Sequence, residues 1–229
     1  SDRKVNITNL KASKNIIKVI NEEFINNSIH QCPKKYNYLN DPRIIYVINL
    51  MKTLKKEKFL LICHTKEKVK EILRVLKQKV HIKIAEFHEE LSLIQRDRNA
   101  AWFSEEDGAR LLLCSEIGSE GRNFQFSHHL IFWDIPFNSD LIEQRIGRLD
   151  RIGQKHTIHI HIPSIQHTFY SILTTIFHEG FDIFNNTVPG SSEIFKITSN
   201  DILNLLKGDK IQDNTLYQEV KNLIQTIKE

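Results

Sequence analysis

The sequence predicts an α/β protein built on a mostly parallel β-sheet with helices on both faces. Short apolar runs of strand length alternate along the chain with segments of about 10–15 residues that have a helical hydrophobic period, and this alternation is typical of repeated βαβ units. The runs at residues 111–113 and 130–133 are apolar throughout, which indicates strands that are buried on both faces of a parallel sheet.

The elements follow one another in a regular order. Residues 1–31 carry apolar side chains at helical spacing and are predicted to form a helix outside the main core, and residues 31–41 are predicted to be a linker that ends in the turn Asn40-Asp41-Pro42. Five strands are then predicted at residues 58–63, 81–87, 111–113, 130–133 and 155–162, separated by helices near residues 43–56, 66–79, 89–103 and 141–151. The sequence therefore predicts three parts: an N-terminal helical segment and linker (1–40), a lobe that contains the sheet (41–165) and a C-terminal helical extension (166–229).

Charge is distributed unevenly along the chain. Residues 1–80 carry 18 of the 32 Lys and Arg residues and 7 of the 28 Asp and Glu residues, a net charge of +11, whereas the remainder carries 14 basic against 21 acidic residues, a net charge of −7. A basic half suits a polyanionic partner, and an acidic half argues against a protein that coats nucleic acid uniformly. Solvent-exposed helix surface is the alternative explanation for much of the basic excess.

Cysteine usage and hydropathy indicate the compartment. Cys32, Cys63 and Cys114 are odd in number and widely spaced, so buried reduced thiols explain them better than disulfides or a zinc site. No apolar run approaches the length of a membrane span, and the first residues lack the pattern of a signal peptide. We therefore expect a cytoplasmic protein.

Polar residues stand directly after several of the predicted strands. His64-Thr65, His88, Ser115-Glu116 and Asp134 all occupy such positions. Because the carboxyl ends of parallel strands meet at one edge of a sheet, and ligands of open α/β sheets bind there, these residues are expected to share one rim.

Two arginines and a glutamine are predicted to face the same way from one helix. At about 100° per residue, Gln144, Arg148 and Arg151 fall within a stripe roughly 60° wide, opposite the apolar face. Gly147 lies inside the same predicted helix, where it costs on the order of 1 kcal/mol relative to alanine, which indicates that another group approaches the backbone there. A solvated arginine face is the alternative for such a stripe.

Two strings of residues in this region resemble a known family. Gln144-Arg-Ile-Gly-Arg-Leu-Asp-Arg-Ile-Gly-Gln154 resembles motif VI of the superfamily 2 helicases and translocases, in its Swi/Snf form, and Ser115-Glu-Ile-Gly-Ser-Glu-Gly-Arg-Asn123 resembles motif V at the usual distance upstream. Phe124-Gln-Phe126, Ile135-Pro-Phe-Asn138 and His178-Glu-Gly-Phe-Asp-Ile-Phe184 are similar to the bacterial RNA-polymerase-associated branch of the Swi/Snf ATPases. The resemblance covers about residues 41–206 and implies a RecA-like (P-loop NTPase-like) lobe, specifically the second lobe of a two-lobed motor.

The resemblance implies roles at the nucleotide for residues of both motifs. Arg148 and Arg151 match the two motif VI arginines that reach across the cleft between lobes to the ATP phosphates, and a guanidinium matches phosphate oxygens bidentately. Gln144 would hydrogen-bond near the γ-phosphate, and Gly121 matches the motif V glycine whose backbone approaches the nucleotide. Asn123 would lie near the nucleotide too, although many helicases have aspartate there while Swi/Snf members share the asparagine.

The resemblance also implies partners. His64, Thr65 and Ser115 match positions where second lobes hold the backbone of nucleic acid, although capping of a helix is an alternative role for each. The family implies ATP-driven translocation on double-stranded DNA or other nucleic acid, pairing with a first RecA-like lobe, and association with RNA polymerase during its recycling in transcription.

Several kinds of site are not predicted. The chain lacks the G-x-x-x-x-G-K-[ST] phosphate cradle and an Asp-Glu magnesium motif after a strand, so ATP and Mg²⁺ are expected to be bound mainly by a first lobe, and this chain alone is expected not to hydrolyse ATP. His156, His159 and His161 have no cysteine or carboxylate near them in sequence, so they are interpreted as the polar face of an edge strand rather than as a metal site. Two other functions stay open: a lobe of another Swi/Snf or superfamily 2 motor, such as a restriction or repair translocase, and a non-catalytic docking module with the same fold.

Overall fold

The computed structural model describes residues 2–28, 37–118, 121–207 and 214–228. Its strands are β1 (Arg3–Leu10), β2 (Phe59–Cys63), β3 (Ile84–Phe87), β4 (Leu111–Ser115), β5 (His129–Phe132) and β6 (Ile158–Ile165). Its helices are α1 (Lys14–Ser28), α2 (Pro42–Thr53), α3 (Lys66–Lys79), α4 (Leu93–Ser104), α5 (Ser139–Ile146), α6 (Phe169–Thr175), α7 (Ser191–Lys207) and α8 (Asn214–Lys228). A 3₁₀ turn (Tyr38–Asn40) precedes α2, and a π-helical turn (Ile176–Gly180) follows α6. Most of the predicted linker and Cys32 lie outside the described residues.

The chain divides into two compact units that interleave along the sequence. The first unit comprises Ser1–Thr8, Asn37–Asp134 and Arg145–Pro163, and the second comprises Asn9–Tyr36, Ile135–Gln144 and Ser164–Glu229. None of the described helices combines the length and the apolar character that crossing a membrane requires.

A six-stranded sheet is the framework of the fold. The strand order is β1-β6-β5-β2-β4-β3, and β2 pairs in parallel with β4 on one side and with β5 on the other. Every residue of β2, β4 and β5 is buried. The continuous apolar runs of β4 and β5 predicted this burial on both faces of the sheet. Cys63 and Cys114 are buried free thiols, and burial raises the pKa of each.

The N-terminal segment differs from the prediction. Residues 3–10 form β1, the strand next to β6, and only Lys14–Ser28 is helical. The prediction of a helix from residue 1 was therefore wrong for this stretch. Val5 and Ile7 alternate with Asn6 and Thr8, which is the two-residue period of a strand, but the stronger helical period of the following residues obscured it.

Short-range capping fixes where α2 begins. The Asp41 carboxylate accepts a hydrogen bond from the Arg43 backbone N–H at 2.9 Å, and Pro42 occupies the first turn, where its missing N–H leaves no bond unmade. In the second unit, the C-terminal stretch predicted to be helical contains α7, which begins at Ser191, and α8, which begins at Asn214.

Histidines cluster between β5 and β6 in the first unit. Nδ1 of His129 lies 3.0 Å from Nε2 of His161, and the His129 ring stacks on that of His159 with centroids 4.7 Å apart. The interpretation of these histidines as the face of an edge strand was wrong, because β1 covers the other side of β6 and His161 is only 5% exposed. No group of three metal-ligating side chains occurs among the described residues.

This cluster makes stability depend on pH. Burial, followed by repulsion from neighbouring histidines, lowers the pKa of His129 to about 3 and that of His161 to about 4. Both pKa values lie below the unfolded value of about 6.5, so the unfolded chain binds protons first and the folded state loses stability as the pH falls below about 6.5. Between pH 7 and pH 5 we expect a loss of about 2 kcal/mol for each of the two histidines, measured as the free energy of urea unfolding.

The variant His161→Gln is the internal check on this expectation. It removes one of the two depressed pKa values, so the difference in unfolding free energy between pH 7 and pH 5 should shrink by roughly half. If the parent protein has the same unfolding free energy at pH 7 and pH 5, the histidine cluster does not govern the loss of stability in acid.

Candidate functional site

The residues that follow the parallel strands meet at one edge of the sheet in the first unit. Cys63, the last residue of β2, pairs in register with Ser115, the last residue of β4. The backbone N–H of His64 donates to Oδ2 of Asp134 at 3.1 Å, which joins the end of β2 to the segment after β5. The rim expected from the sequence is therefore present as a set of direct contacts.

A buried ion network lies at this rim. The guanidinium of Arg145 donates to both carboxylate oxygens of Glu116, to the backbone oxygen of Asp134 at 2.7 Å and to Oδ1 of Asp134 at 3.1 Å. Nζ of Lys68 lies 2.6 Å from Oδ2 of the same Asp134. Arg145, Asp134 and Lys68 are 1%, 3% and 4% exposed, so the network is shielded from water.

Asp134 and Arg145 are kept charged by their partners in the network. Burial alone would raise the pKa of the Asp134 carboxyl, but Lys68 and Arg145 outweigh burial and hold that pKa well below its usual value. Burial likewise opposes the charged form of Arg145, and the carboxylates of Glu116 and Asp134 outweigh it and raise the pKa of the guanidinium. Arg145 therefore ties the segment after β4 to the segment after β5 by charge-assisted bonds.

Ser115 is engaged within the fold. Its hydroxyl donates to Oε2 of Glu89 at 2.6 Å and accepts from the backbone N–H of Gly118 at 3.0 Å. A Cβ added to Gly118 would stand 2.5 Å from Cα of His88 and 2.7 Å from the backbone oxygen of Phe87, so a side chain does not fit there. The segment after β4 is thereby packed onto the end of β3.

Thr65 and His64 differ in their surroundings. The Thr65 hydroxyl accepts from the backbone N–H of Lys68 at 3.4 Å and caps α3, so the alternative capping role is the one observed. The His64 residue is exposed at the rim, although its backbone N–H is held by Asp134. Contact of His64, Thr65 or Ser115 with nucleic acid stays a prediction.

The motif VI segment differs from the helix that was predicted. Helix α5 ends at Ile146, and Arg148 and Arg151 lie beyond it, so the prediction of one helical stripe carrying both arginines was wrong. Tight turn bonds follow the helix, from the Arg148 N–H to the Arg145 oxygen at 3.2 Å and from the Leu149 N–H to the Ile146 oxygen at 3.0 Å. Gly147 stands directly after the last helical residue and belongs to this turn, so it does not lie inside the helix as predicted.

The two arginines have different environments. Arg148 is 7% exposed, and its backbone oxygen accepts from the Phe124 N–H at 2.8 Å, so it lies largely inside the first unit. Arg151 is exposed, and its Nε donates to the backbone oxygen of Gly147 at 2.9 Å. Arg151 is the member of the pair whose guanidinium is presented at the surface.

The other residues predicted to contact the nucleotide are exposed. Gly121 adopts a φ of +71°, and no atom lies within 4 Å of the place where a Cβ would stand, so its backbone is open to approach. Asn123 is exposed and accepts through Oδ1 from the Gln125 N–H at 3.0 Å, which forms a local turn. Gln144 is exposed and belongs to the second unit, whereas the two arginines belong to the first.

Two protein families match successive parts of this chain. The helicase conserved C-terminal domain matches residues 42–153, and the RNA polymerase recycling family C-terminal region matches residues 157–229. The chain is a RapA-like second lobe of helicase superfamily 2. The family resemblance of the two motifs is thereby confirmed.

Solved structures share the fold of this RapA-like lobe. The C-terminal part of the Fun30 ATPase domain is 18% identical at a TM-score of 0.54, over 79% of this chain and 60% of that one. The SWI2/SNF2 ATPase core of Sulfolobus solfataricus in complex with dsDNA is 15% identical at a TM-score of 0.57, over 86% and 49%. Mss116p DEAD-box helicase domain 2 bound to an RNA duplex is 17% identical at a TM-score of 0.52, over 100% and 80%.

These likenesses confirm the RecA-like fold that the sequence predicted. The RapA-like lobe spans 60% of the length of the Fun30 piece and about half of the Sulfolobus core.

Sequence reasoning missed the ion network. Lys68 belongs to the lysine-rich helix α3, yet its side chain is buried against Asp134. A signal was available, because Arg145 stands between the apolar positions Ile142 and Ile146, and an arginine close to a buried face requires a carboxylate partner. The RapA-like lobe supplies that partner from Glu116 in motif V, directly after a buried strand.

Proposed function

We propose that this chain is the nucleic-acid-tracking and phosphate-sensing half of an ATP-driven translocase. Its rim and its motif VI arginine would close on a first RecA-like lobe that holds ATP, and hydrolysis would move the pair of lobes along double-stranded DNA. The observation that carries this proposal is the order of the two family matches, a helicase C-terminal domain followed directly by an RNA polymerase recycling region.

The chemistry of the motif residues fits a phosphate. Arg151 presents a guanidinium at the surface, Gly121 presents open backbone, and both belong to the first unit. Arg151 would bind phosphate oxygens and stabilise charge as it develops in phosphoryl transfer, and Arg148 would position the turn that carries it. ATP supplies the transferable phosphoryl group when bound.

Magnesium is assigned to the first lobe in this proposal. The described residues contain no group of three side chains suited to a metal ion. The role we propose for this lobe is positioning and charge stabilisation, which are the main protein contributions to phosphoryl transfer.

The proposed partners follow from the family and from the fold relatives. The C-terminal region matches an RNA polymerase recycling family, and one fold relative was solved with dsDNA while another was solved with an RNA duplex. We propose that double-stranded DNA contacts the rim near His64, Thr65 and Ser115 and that RNA polymerase is the partner in the bacterial cytoplasm, where recycling of the enzyme aids transcription.

The division of the active site is tested by complementation. The 229-residue chain alone is expected to show no ATP hydrolysis above background. A polypeptide that joins it to a first lobe carrying the phosphate cradle should hydrolyse ATP, and duplex DNA should stimulate the rate severalfold, as measured by phosphate release.

Robust hydrolysis by the isolated chain would contradict the proposed division. A joined protein that binds RNA polymerase normally but neither hydrolyses ATP nor binds duplex DNA would favour a docking module instead. A first lobe whose cradle lysine is replaced by alanine is the matched control, because it keeps the architecture and removes the phosphate contact.

A further inference from the structure

Three cations lie next to one another where the parallel strands begin, which is the end of the sheet opposite the rim. Lys58, Lys83 and Arg110 each directly precede a strand, namely β2, β3 and β4. The first residues of β2 and β3 both pair in register with the first residue of β4. The Arg110 backbone bonds to both neighbouring strands: its N–H donates to the Lys83 oxygen at 2.8 Å, and its oxygen accepts from the Phe59 N–H at 2.8 Å. The three residues therefore form a row across adjacent strands, with a spacing of about 4.8 Å.

The row lines a pocket that carries an excess of positive charge. The pocket has a volume of about 490 Å³, and the turn between α2 and β2 adds two exposed lysines to it. Its charged lining consists of five cations, Lys55, Lys56, Lys58, Lys83 and Arg110, against two carboxylates, Glu106 and Asp107.

The row cations are held by neutral acceptors. Nζ of Lys58 donates to the backbone oxygen of Ala109 at 2.9 Å, and Nζ of Lys83 donates to the backbone oxygen of Asp107. Nη2 of Arg110 donates to the backbone oxygen of Leu54, directly after α2, at 2.8 Å. Backbone carbonyls orient these groups without neutralising their charge. Within the described parts of the chain, no ion pair involves any of the five pocket cations.

The electrostatics agree with this geometry. Burial and then repulsion from Arg110 lower the pKa of Lys58, and burial lowers the pKa of Arg110 itself. Cations whose charged forms are disfavoured in this way are stabilised when an anion arrives.

We propose that this basic pocket binds phosphate groups of a nucleic-acid backbone, as a second contact at the end of the sheet opposite the rim. Because β2 is five residues long, the two ends of the sheet lie about 16 Å apart along the strands, so the two contacts are separate. The inference rests on the proposed function for its choice of nucleic acid, and on the pocket for its location.

A phosphate chain fits the pocket better than an acidic protein surface. The row brings cations from three adjacent strands to one pocket, and a nucleic-acid backbone is a polyanion that can contact several cations at once. Side-chain amides and hydroxyls that would recognise a particular peptide do not line the pocket among the described residues. A sequence-independent contact through lysine and arginine is the kind that positions a protein on a duplex.

The test compares two charge-matched double variants of the 229-residue chain. Lys55→Gln with Lys56→Gln removes two pocket charges whose side chains are exposed, and Lys14→Gln with Lys18→Gln removes two exposed charges from α1 in the second unit. Binding of a fluorescein-labelled 20-base-pair duplex is measured by anisotropy between 50 and 200 mM salt. A third variant, Lys55→Arg with Lys56→Arg, restores the charge.

We expect the pocket variant to bind the duplex about tenfold more weakly at 50 mM salt and to lower the slope of log affinity against log salt by about 1–2. The α1 variant should stay within about twofold of the parent, and the arginine variant should restore binding. Equal losses in the pocket and α1 variants would overturn the proposal, because they would show only a general charge effect.

A second probe separates the rival partner. If the pocket variant binds labelled poly-glutamate more weakly but binds the duplex as the parent does, the pocket serves an acidic protein surface and the proposal is overturned. If the parent chain and the pocket variant bind the duplex equally well, the inference about the pocket is overturned and the proposed function is not. A parent chain that does not bind the duplex at all removes the proposed nucleic-acid function as well.

Discussion

Replacing Arg151 with alanine in the joined two-lobed protein is expected to lower its DNA-stimulated ATPase rate by about a thousandfold or more. The expectation follows from the magnitude of arginine contributions to phosphoryl transfer, about 10³–10⁵ in rate. Arg151 is exposed and its Nε bonds to the backbone of its own turn, at Gly147, so the fold should not depend on it. The rate is measured by phosphate release at saturating ATP, beside the thermal midpoint of unfolding.

Two features make this experiment decisive. Arg74→Ala is the matched control, because Arg74 is an exposed arginine that pairs with Glu71 on α3, and it should leave the ATPase rate unchanged. Arg148→Ala is less informative alone, because Arg148 is buried and its loss would disturb the fold. An Arg151 variant that keeps the parent rate within about tenfold would refute the assigned role.

Replacing Arg145 with methionine is expected to destabilise the chain by about 3–5 kcal/mol. The substitution keeps much of the side-chain volume but leaves the carboxylate of Glu116 beside Asp134 without their shared cation, and removing one partner of a buried ion pair has a cost of this size. The quantity measured is the free energy of urea unfolding at pH 7.

A second substitution shows whether charge is the cause. Adding Glu116→Gln to the Arg145→Met variant removes one of the uncompensated carboxylates, so part of the lost stability should return. Arg74→Met, which breaks an exposed ion pair, is the control and should give no measurable change. A loss below about 1 kcal/mol for Arg145→Met would show that the network does not stabilise the fold.

The central strands could be predicted from the sequence because their burial is complete. The runs that became β4 and β5 contain apolar residues on both faces, and a two-sided apolar strand belongs in the middle of a parallel sheet. The rim followed from this, since residues after parallel strands must lie at one edge. Asp134 was placed correctly on that basis.

The errors came from places where local pattern and tertiary pairing disagree. The alternation around Val5 and Ile7 was weaker than the helical period of α1, and its strand form depends on pairing with β6, which lies far along the chain. The length of α5 was overestimated because Gly147 was interpreted as a tolerated residue inside the helix rather than as its end. The burial of Arg148 could not be predicted from periodicity, because it follows from the turn that closes after Ile146.

The pairing of β1 with β6 has a consequence for biosynthesis. The Ile158 N–H donates to the backbone oxygen of Asp2 at 2.8 Å, so this ladder closes a loop on the order of 150 residues, at an entropic cost of about 4 kcal/mol. At ribosomal rates of about 5–20 residues per second, β1 waits roughly 8–30 s after its own synthesis before β6 emerges. During that interval its backbone donors and acceptors are open to pairing with other extended chains, so aggregation during synthesis is the hazard that this late strand pairing creates.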